Sequence, residues 1–207
     1  MPFVTFEGVE GSGKTTQLRL AGARLRELVA DVVETREPGG TAVGERLREI
    51  LMDAANVHLD AVTEWLLLEA DRGQHVREML RPLLARGAFV LCDRYSDATE
   101  AYQQAGRGLD AAAVRLVDGI ARDGLVPDFT LLYDLDPREG LARAQGRDGD
   151  RTGRFEGAGL AFHETVRAAY LEIARREPGR VAIVRAAVPA ERVFAETWRL
   201  LSERFSL

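Results

Sequence analysis

The sequence predicts an α/β protein, a central parallel sheet with helices on both faces. Three observations lead there. Short β-prone runs alternate with helical stretches along the whole chain. Most of those runs are continuously apolar, as strands covered on both faces must be. The first run ends in a glycine-rich turn that opens directly into a helix, the strand–turn–helix order of a parallel crossover unit.

The elements follow in order. Phe3 to Gly8 reads as a buried strand. From Lys14 to about Val29, Leu18, Ala21, Leu25 and Leu28 recur at helical spacing. Asp31 to Thr35 is a second strand, closed by Pro38-Gly39-Gly40. Ala42 to Met52 is helical, and a long helical stretch runs from Asp60 to Ala85, which Pro82 should kink or split. Ala88 to Cys92 is the third strand, followed by helices over Ala98–Ala105 and Asp110–Asp123. Asp128 to Leu135 is the fourth strand, and Pro137 starts the next helix, a position where proline is welcome. Gly146 to Gly159 has no period and reads as a loop. A helix over Ala161–Arg176, a fifth strand over Arg180–Val184 and a last helix from Pro189 to about Phe205 complete the chain.

The 207 residues suit one domain, and no linker or internal repeat divides them. A balance of 46% hydrophobic and 29% charged residues supports a real core and excludes disorder along the whole chain. Cys92, the single cysteine, excludes a disulfide scaffold and reads as a buried, inert thiol. No apolar stretch reaches the roughly 18 residues of a membrane span. The first residues carry no export signal, so the cytoplasm is expected. With a net charge of −5, the chain is not a basic nucleic-acid binder. Of 28 basic residues only Lys14 is lysine, so that position should need a compact ammonium.

Gly8-Val9-Glu10-Gly11-Ser12-Gly13-Lys14-Thr15 fits G-x-x-x-x-G-K-[ST]. Its glycines let backbone N–H groups wrap an anion, and the helix start adds partial positive charge. Lys14 can reach β- and γ-phosphates, and the Thr15 hydroxyl can ligate Mg²⁺. A GTPase would need the base-reading N-K-x-D, impossible in a chain whose one lysine is residue 14.

Further motifs sit at the expected strand ends. Thr35-Arg36-Glu37-Pro38-Gly39-Gly40-Thr41 follows the second strand. Asp93-Arg94-Tyr95, continued by Asp97, Thr99 and Ala101-Tyr102-Gln103, follows the third, and Asp134-Leu135-Asp136-Pro137 the fourth. Asp93 is placed to hold Mg²⁺ or its waters, and Arg94 to fork onto a phosphate. With Ala70-Asp71-Arg72 and His75, and Phe162-His163 with Arg167 and Tyr170, these motifs resemble those of the thymidylate kinase family. The likeness runs from the first strand to at least Arg176.

The resemblance implies a three-layer P-loop kinase fold with a five-stranded parallel sheet and a mobile lid at about 146–159. It implies dTMP and ATP as substrates, Mg²⁺ as cofactor, and a homodimer formed through helices around Trp65–Leu68. It implies that residues 8–16, with Thr16 the last, cradle the ATP phosphates. Thr15 and Asp93 would serve the metal. Lys14, Asp93, Arg94 and lid arginines would serve catalysis. Glu10, Arg36, Arg48, Leu68, Arg72, Arg94, Thr99, Tyr102 and Gln103 would form the acceptor site. Arg72 and Thr99 would read the base, and Tyr102 would crowd the sugar 2′ position. Val9-Glu10-Gly11-Ser12 holds no arginine, so the chain resembles the members that carry the catalytic arginine in the lid. Arg147 and Arg151 are the leading candidates, beside Arg143 and Arg154; Arg154-Phe155-Glu156 lies nearest the family's R-hydrophobic-E.

Three positions depart from the family pattern. Leu68 stands where a base-stacking Phe is common, Ala98 replaces a serine, and Glu10 replaces an aspartate. Two other readings stay open: a nucleoside-monophosphate kinase with a shifted acceptor, and a nucleotide-dependent switch on a kinase scaffold. His58, His75 and His163 share no metal-like spacing and are expected in surface or capping roles.

Overall fold

The computed structural model describes residues 2–148, 154 and 156–207. The described residues form a five-stranded parallel sheet in the order β2-β3-β1-β4-β5. The strands are β1 (Phe3–Glu7), β2 (Val32–Arg36), β3 (Phe89–Asp93), β4 (Phe129–Asp134) and β5 (Val181–Arg185). The expected alternation and parallel sheet are therefore present, with strand ends within a residue or two of those read from the sequence. β1 lies in the middle, so the turn that follows it emerges at the centre of the sheet's carboxyl edge, where α/β proteins bind ligands.

Burial follows position in the sheet. Every residue of β1 is buried, whereas the edge strand β2 is half-buried along most of its length. Successive β3 residues go to opposite faces: Phe89 and Leu91 join one core cluster, Val90 and Cys92 the other. That double burial is why the central strands lack polar alternation. Phe6, fully buried and stacked on Tyr133 at 5.9 Å, contributes about 1.5–3 kcal/mol through its removed surface.

The helices are α1 (Lys14–Leu25), α2 (Ala42–Met52), α3 (Ala61–His75), α4 (Arg81–Ala85), α5 (Ser96–Thr99), α6 (Ala111–Arg122), α7 (Pro137–Asp148), α8 (Leu160–Arg176) and α9 (Ala190–Phe205). Side chains close the N-termini of four of them. Thr41 accepts from Gly44 N–H on α2, Asp60 from Val62 N–H on α3, Asp110 from Ala113 N–H on α6 and Asp136 from Arg138 N–H on α7. Among the described residues, no helix is long and apolar enough to cross a membrane.

One expectation takes a specific form and one needs correction. The α-helical run is interrupted just ahead of Pro82, without a break in the helix. A π-helical turn over Val76–Leu80 joins α3 to α4, with Arg81 N–H reaching back to Val76 C=O. The wider turn makes room for a ring that would clash with the carbonyl four residues earlier. The stretch 146–159 is not loop throughout. α7 continues through Gly146 to Asp148, and Glu156–Ala158 forms a 3₁₀ turn. A glycine inside a helix costs only about 1 kcal/mol, which the preceding turns of α7 outweigh.

One backbone contact sets where the first turn sits. A Cβ on Gly11 would meet Gly140 C=O at 2.0 Å, and one on Gly140 would meet Glu10 C=O at 2.3 Å. The turn after β1 therefore rests backbone to backbone on α7. Gly140→Ala should destabilise the protein by about 1–3 kcal/mol through overpacking. Gly73→Ala, which meets only ordinary contacts, should be neutral or stabilising by up to about 1 kcal/mol. Urea unfolding of both variants checks this; equal stability would contradict the close approach.

Candidate active site

The turn after β1 is shaped by residues that only glycine replaces well. Gly8, Gly11 and Gly13 adopt φ of 143°, 69° and 87°. α1 starts on Gly13, which supplies no capping side chain, and its first turn holds no acidic residue. The first N–H groups of α1 thus stay available to an external anion, unlike those of α2, α3 and α6. Lys14 lies in that turn and is 9% exposed. Burial, and then Arg94, pull its pKa down, against Asp93, Glu10 and Glu7, which pull it up. The Thr15 hydroxyl donates to the Asp93 carboxylate at the end of β3. A hydroxyl and a carboxylate side by side are the hard oxygen donors that suit Mg²⁺.

A cleft of about 390 Å³ opens beside Lys14 and Thr15. The nine residues expected to form an acceptor site all line it. They are Glu10, Arg36, Arg48 and Arg94, with Leu68 and Arg72 from α3, Thr99 from α5, and Tyr102 and Gln103 just after it. The last two sit on a π-helical stretch, Glu100–Gly106, where an α-helix was expected. Pro38, Met52, Ala98 and Arg154 line it too, as do Gly11, Glu37, Asp93 and Tyr95.

Two charge networks hold this cleft. In the first, Arg94 donates to Glu10 Oε1 at 2.9 Å, to the Tyr102 hydroxyl at 3.1 Å and to the Tyr170 hydroxyl at 3.1 Å. Tyr102 donates to both Glu10 oxygens, and His163 Nδ1 lies 3.2 Å from Glu10 Oε2. Burial pushes the Glu10 carboxyl up, but Arg94, with help from His163, Lys14 and Tyr102, holds it well below the usual range. Burial alone would lower the Arg94 pKa, yet Tyr102, Tyr170, Glu10 and Glu7 keep it raised.

In the second network, Arg72 meets three carboxylates. Its Nε donates to Glu37 at 2.9 Å, and its Nη1 to Glu69 at 3.0 Å, Asp118 at 3.1 Å and the Thr99 hydroxyl at 3.0 Å. The Tyr95 ring lies under its guanidinium at 5.3 Å. Nη2 makes none of these bonds. Behind it, His75 links Glu37 to Thr35, at 2.9 and 2.8 Å. His75 and His163 are thus buried parts of the site's support, not surface or capping residues as expected.

Arg154 comes from the segment expected as the lid. Its Nη1 lies 2.6 Å from Glu64 and its Nε donates to Leu51 C=O. Glu64, fully buried, also accepts from Gln103 at 2.8 Å and Arg107 at 3.0 Å. Arg143 points elsewhere, to Ala186 C=O. Arg147 lies on α7, with its side chain outside the described residues, and Arg151 lies outside them altogether. Gly8, Val9, Ser12, Gly13 and Thr16 form the turn and helix start beneath the cleft and do not line it. Cys92 is fully buried, its thiol pKa is raised by burial, and it donates to Arg94 C=O at 3.0 Å.

Sequence reading missed Glu7, Glu37, Glu64 and Met52 as site residues. Glu37 had a signal, its place in the T-R-E-P-G-G-T run. The others look like ordinary strand or helix positions.

A family model described as thymidylate kinase matches residues 6–197. A thymidylate kinase of Deinococcus radiodurans is 48% identical over 98% of this chain and 97% of its own length. One from Pseudomonas putida is 50% identical over 92% and 91%. The crystal structure of a thymidylate kinase from Ehrlichia chaffeensis superposes with a TM-score of 0.78 at 33% identity, covering 97% of this chain and 98% of that one.

Asp71, beside Arg72, offers a test of the buried charge on the α3 wall. It accepts from Gly39 N–H at 3.0 Å, and burial, then Glu37, push its pKa up to about 7. The folded protein therefore keeps a proton that the unfolded chain releases near pH 4. That stabilising contribution is whole below pH 4 and fades as pH rises to about 7. Asp71→Asn keeps the acceptor and removes the titration. The parent's Tm should fall relative to Asp71→Asn by about 5 °C as this pH window is crossed, then level off. A Tm difference flat from pH 5 to 8.5 in scanning calorimetry would contradict the assignment.

Proposed function

The chain belongs to the thymidylate kinase family, and we propose that it moves the γ-phosphoryl group of ATP onto dTMP, giving ADP and dTDP, as one P-loop kinase domain. One observation carries the reading: Lys14 and Thr15 open onto the same cleft as Arg72, Thr99 and Tyr102. A donor's phosphates and an acceptor nucleoside can then meet with no protein nucleophile between them. Transfer is in line: the acceptor phosphate oxygen attacks γ-phosphorus as the bond to the ADP oxygen breaks.

Each side chain has a task in that reaction. The N–H groups of residues 8–16 and the Lys14 ammonium bind the donor phosphates. Thr15 and Asp93 would hold Mg²⁺, which when bound offsets charge on the phosphate oxygens. Arg94, with Arg36 and Arg48 nearby, binds the acceptor phosphate. Burial, then the neighbouring Arg36, lower the Arg48 pKa, while Glu45 and Asp93 raise it. Arg72 Nη2 and Thr99 face the base edge, Leu68 gives it apolar contact, and Gln103 borders it. Glu10 and Tyr102 face the sugar. An arginine from Arg143, Arg147, Arg151 or Arg154 meets the charge that grows in the transition state. Among those whose side chains are described, Arg154 lines the cleft.

The enzyme works as a homodimer in the cytoplasm on this reading. α3 packs against α6, and Val62, Leu66, Leu116 and Ile120 on these helices are 46–67% exposed. Such an apolar face suits a second copy of the chain. A switch protein would have no use for an acceptor site, and the intact Lys14, Asp93 and Arg94 favour catalysis.

Coupled assay of ADP release across a panel of monophosphates tests the acceptor. dTMP should be the best substrate, dUMP weaker for lack of the 5-methyl contact with Leu68, and UMP poor because Tyr102 borders the sugar. Equal turnover of UMP or AMP would overturn the assignment.

A further inference from the structure

Arg94 adopts φ 71°, in the left-handed region. Two other non-glycine residues among those described do the same, Asp123 and Ser206, and both end helices, where this conformation is common. Arg94 follows the end of β3 and has no such reason. An arginine held there needs surroundings that over-determine it.

Those surroundings converge on Glu7. Its carboxyl is fully buried at the end of β1 and does not line the cleft. Glu7 Oε1 accepts from Tyr95 N–H, the peptide immediately after Arg94, at 2.7 Å. Glu7 Oε2 accepts from the Tyr170 hydroxyl at 2.7 Å, and that hydroxyl accepts from Arg94 Nη1 at 3.1 Å. One carboxyl group thus grips both ends of Arg94, the backbone directly and the guanidinium through Tyr170. Arg94 N–H donating to Phe6 C=O at 3.1 Å fastens the turn to β1 as well.

We propose that Glu7, acting through Tyr170, is the positioning residue that clamps Arg94 in its left-handed turn and aims its guanidinium at the acceptor phosphate. The clamp rests on the reading of Arg94 as a ligand of that phosphate. It assigns work to a carboxyl that reaches no substrate. Burial, then the charge of Asp97, raise the Glu7 pKa to about 8, so the group is costly to keep and calls for a use.

The test is a set of binding measurements on the full chain. Calorimetry reads dTMP and ATP, and competition reads thymidine, which has no phosphate. Tyr170→Phe keeps the ring and removes the hydroxyl. It should weaken dTMP about tenfold, the scale of one hydrogen bond to a charged group. ATP and thymidine affinities should stay within about twofold. In an Arg94→Ala background, Tyr170→Phe should change nothing further. Above pH 8, where Glu7 is ionised, Glu7→Gln keeps an acceptor for Tyr95 N–H but turns a donor towards Tyr170, so measured at about pH 9 it should lose dTMP affinity as Tyr170→Phe does. If Tyr170→Phe weakens thymidine as much as dTMP, or acts equally with and without Arg94, its role is structural and the clamp is wrong. If Arg94→Ala weakens dTMP but Tyr170→Phe and Glu7→Gln do not, the clamp alone fails. Unchanged dTMP binding in Arg94→Ala would overturn the phosphate reading of Arg94, and the clamp with it.

Discussion

Two cations and three carboxyl groups share the carboxyl ends of β1 and β3, and the rest of the site depends on their balance. Lys14, which is buried, is held by Asp93, Glu10 and Glu7, and the half-buried Arg94 by Glu10 and Glu7. Removing one partner from such a cluster leaves an uncompensated buried charge, which costs far more than the pair contributes. Sheet order creates the cluster. β1 and β3 are neighbours in register, Phe6 opposite Asp93, so Glu7 and the turn that follows come out beside Asp93 and Arg94.

The α3 wall is built by the same rule. Arg72 is 2% exposed, and Glu37, Glu69 and Asp118 arrive from a loop, α3 and α6 to surround it. His75 then ties Glu37 back to Thr35 on β2. A guanidinium gripped on Nε and Nη1 keeps Nη2 in one orientation, which is what the base reading proposed for it requires.

Much of this was legible in the sequence. β1 announces itself because a central strand has no solvent face and therefore no polar alternation, and α2 begins and ends where its apolar period does. The phosphate-loop glycines were readable because each supplies a conformation or an approach that other residues resist. α7 was cut short because Gly146 and the polar residues around it hide a helix held mainly by Gly140 and Ala144 packing. Glu7 and Glu64, which bond to distant side chains, left no local trace. Glu7 meets Tyr170 across 163 positions, and Glu64 meets Gln103 across 39. No spacing rule reaches so far, and each looks like one more residue of its strand or helix.

The lone lysine makes the central charge cluster directly measurable. An amine-directed reagent has two targets in this chain, Lys14 and the N-terminal amine, and mass spectrometry reads both at once. The account predicts that ATP·Mg²⁺ shields Lys14 while the N-terminal amine stays reactive, and that dTMP alone shields it much less. Labelling of Lys14 that is unchanged by ATP·Mg²⁺ would contradict it.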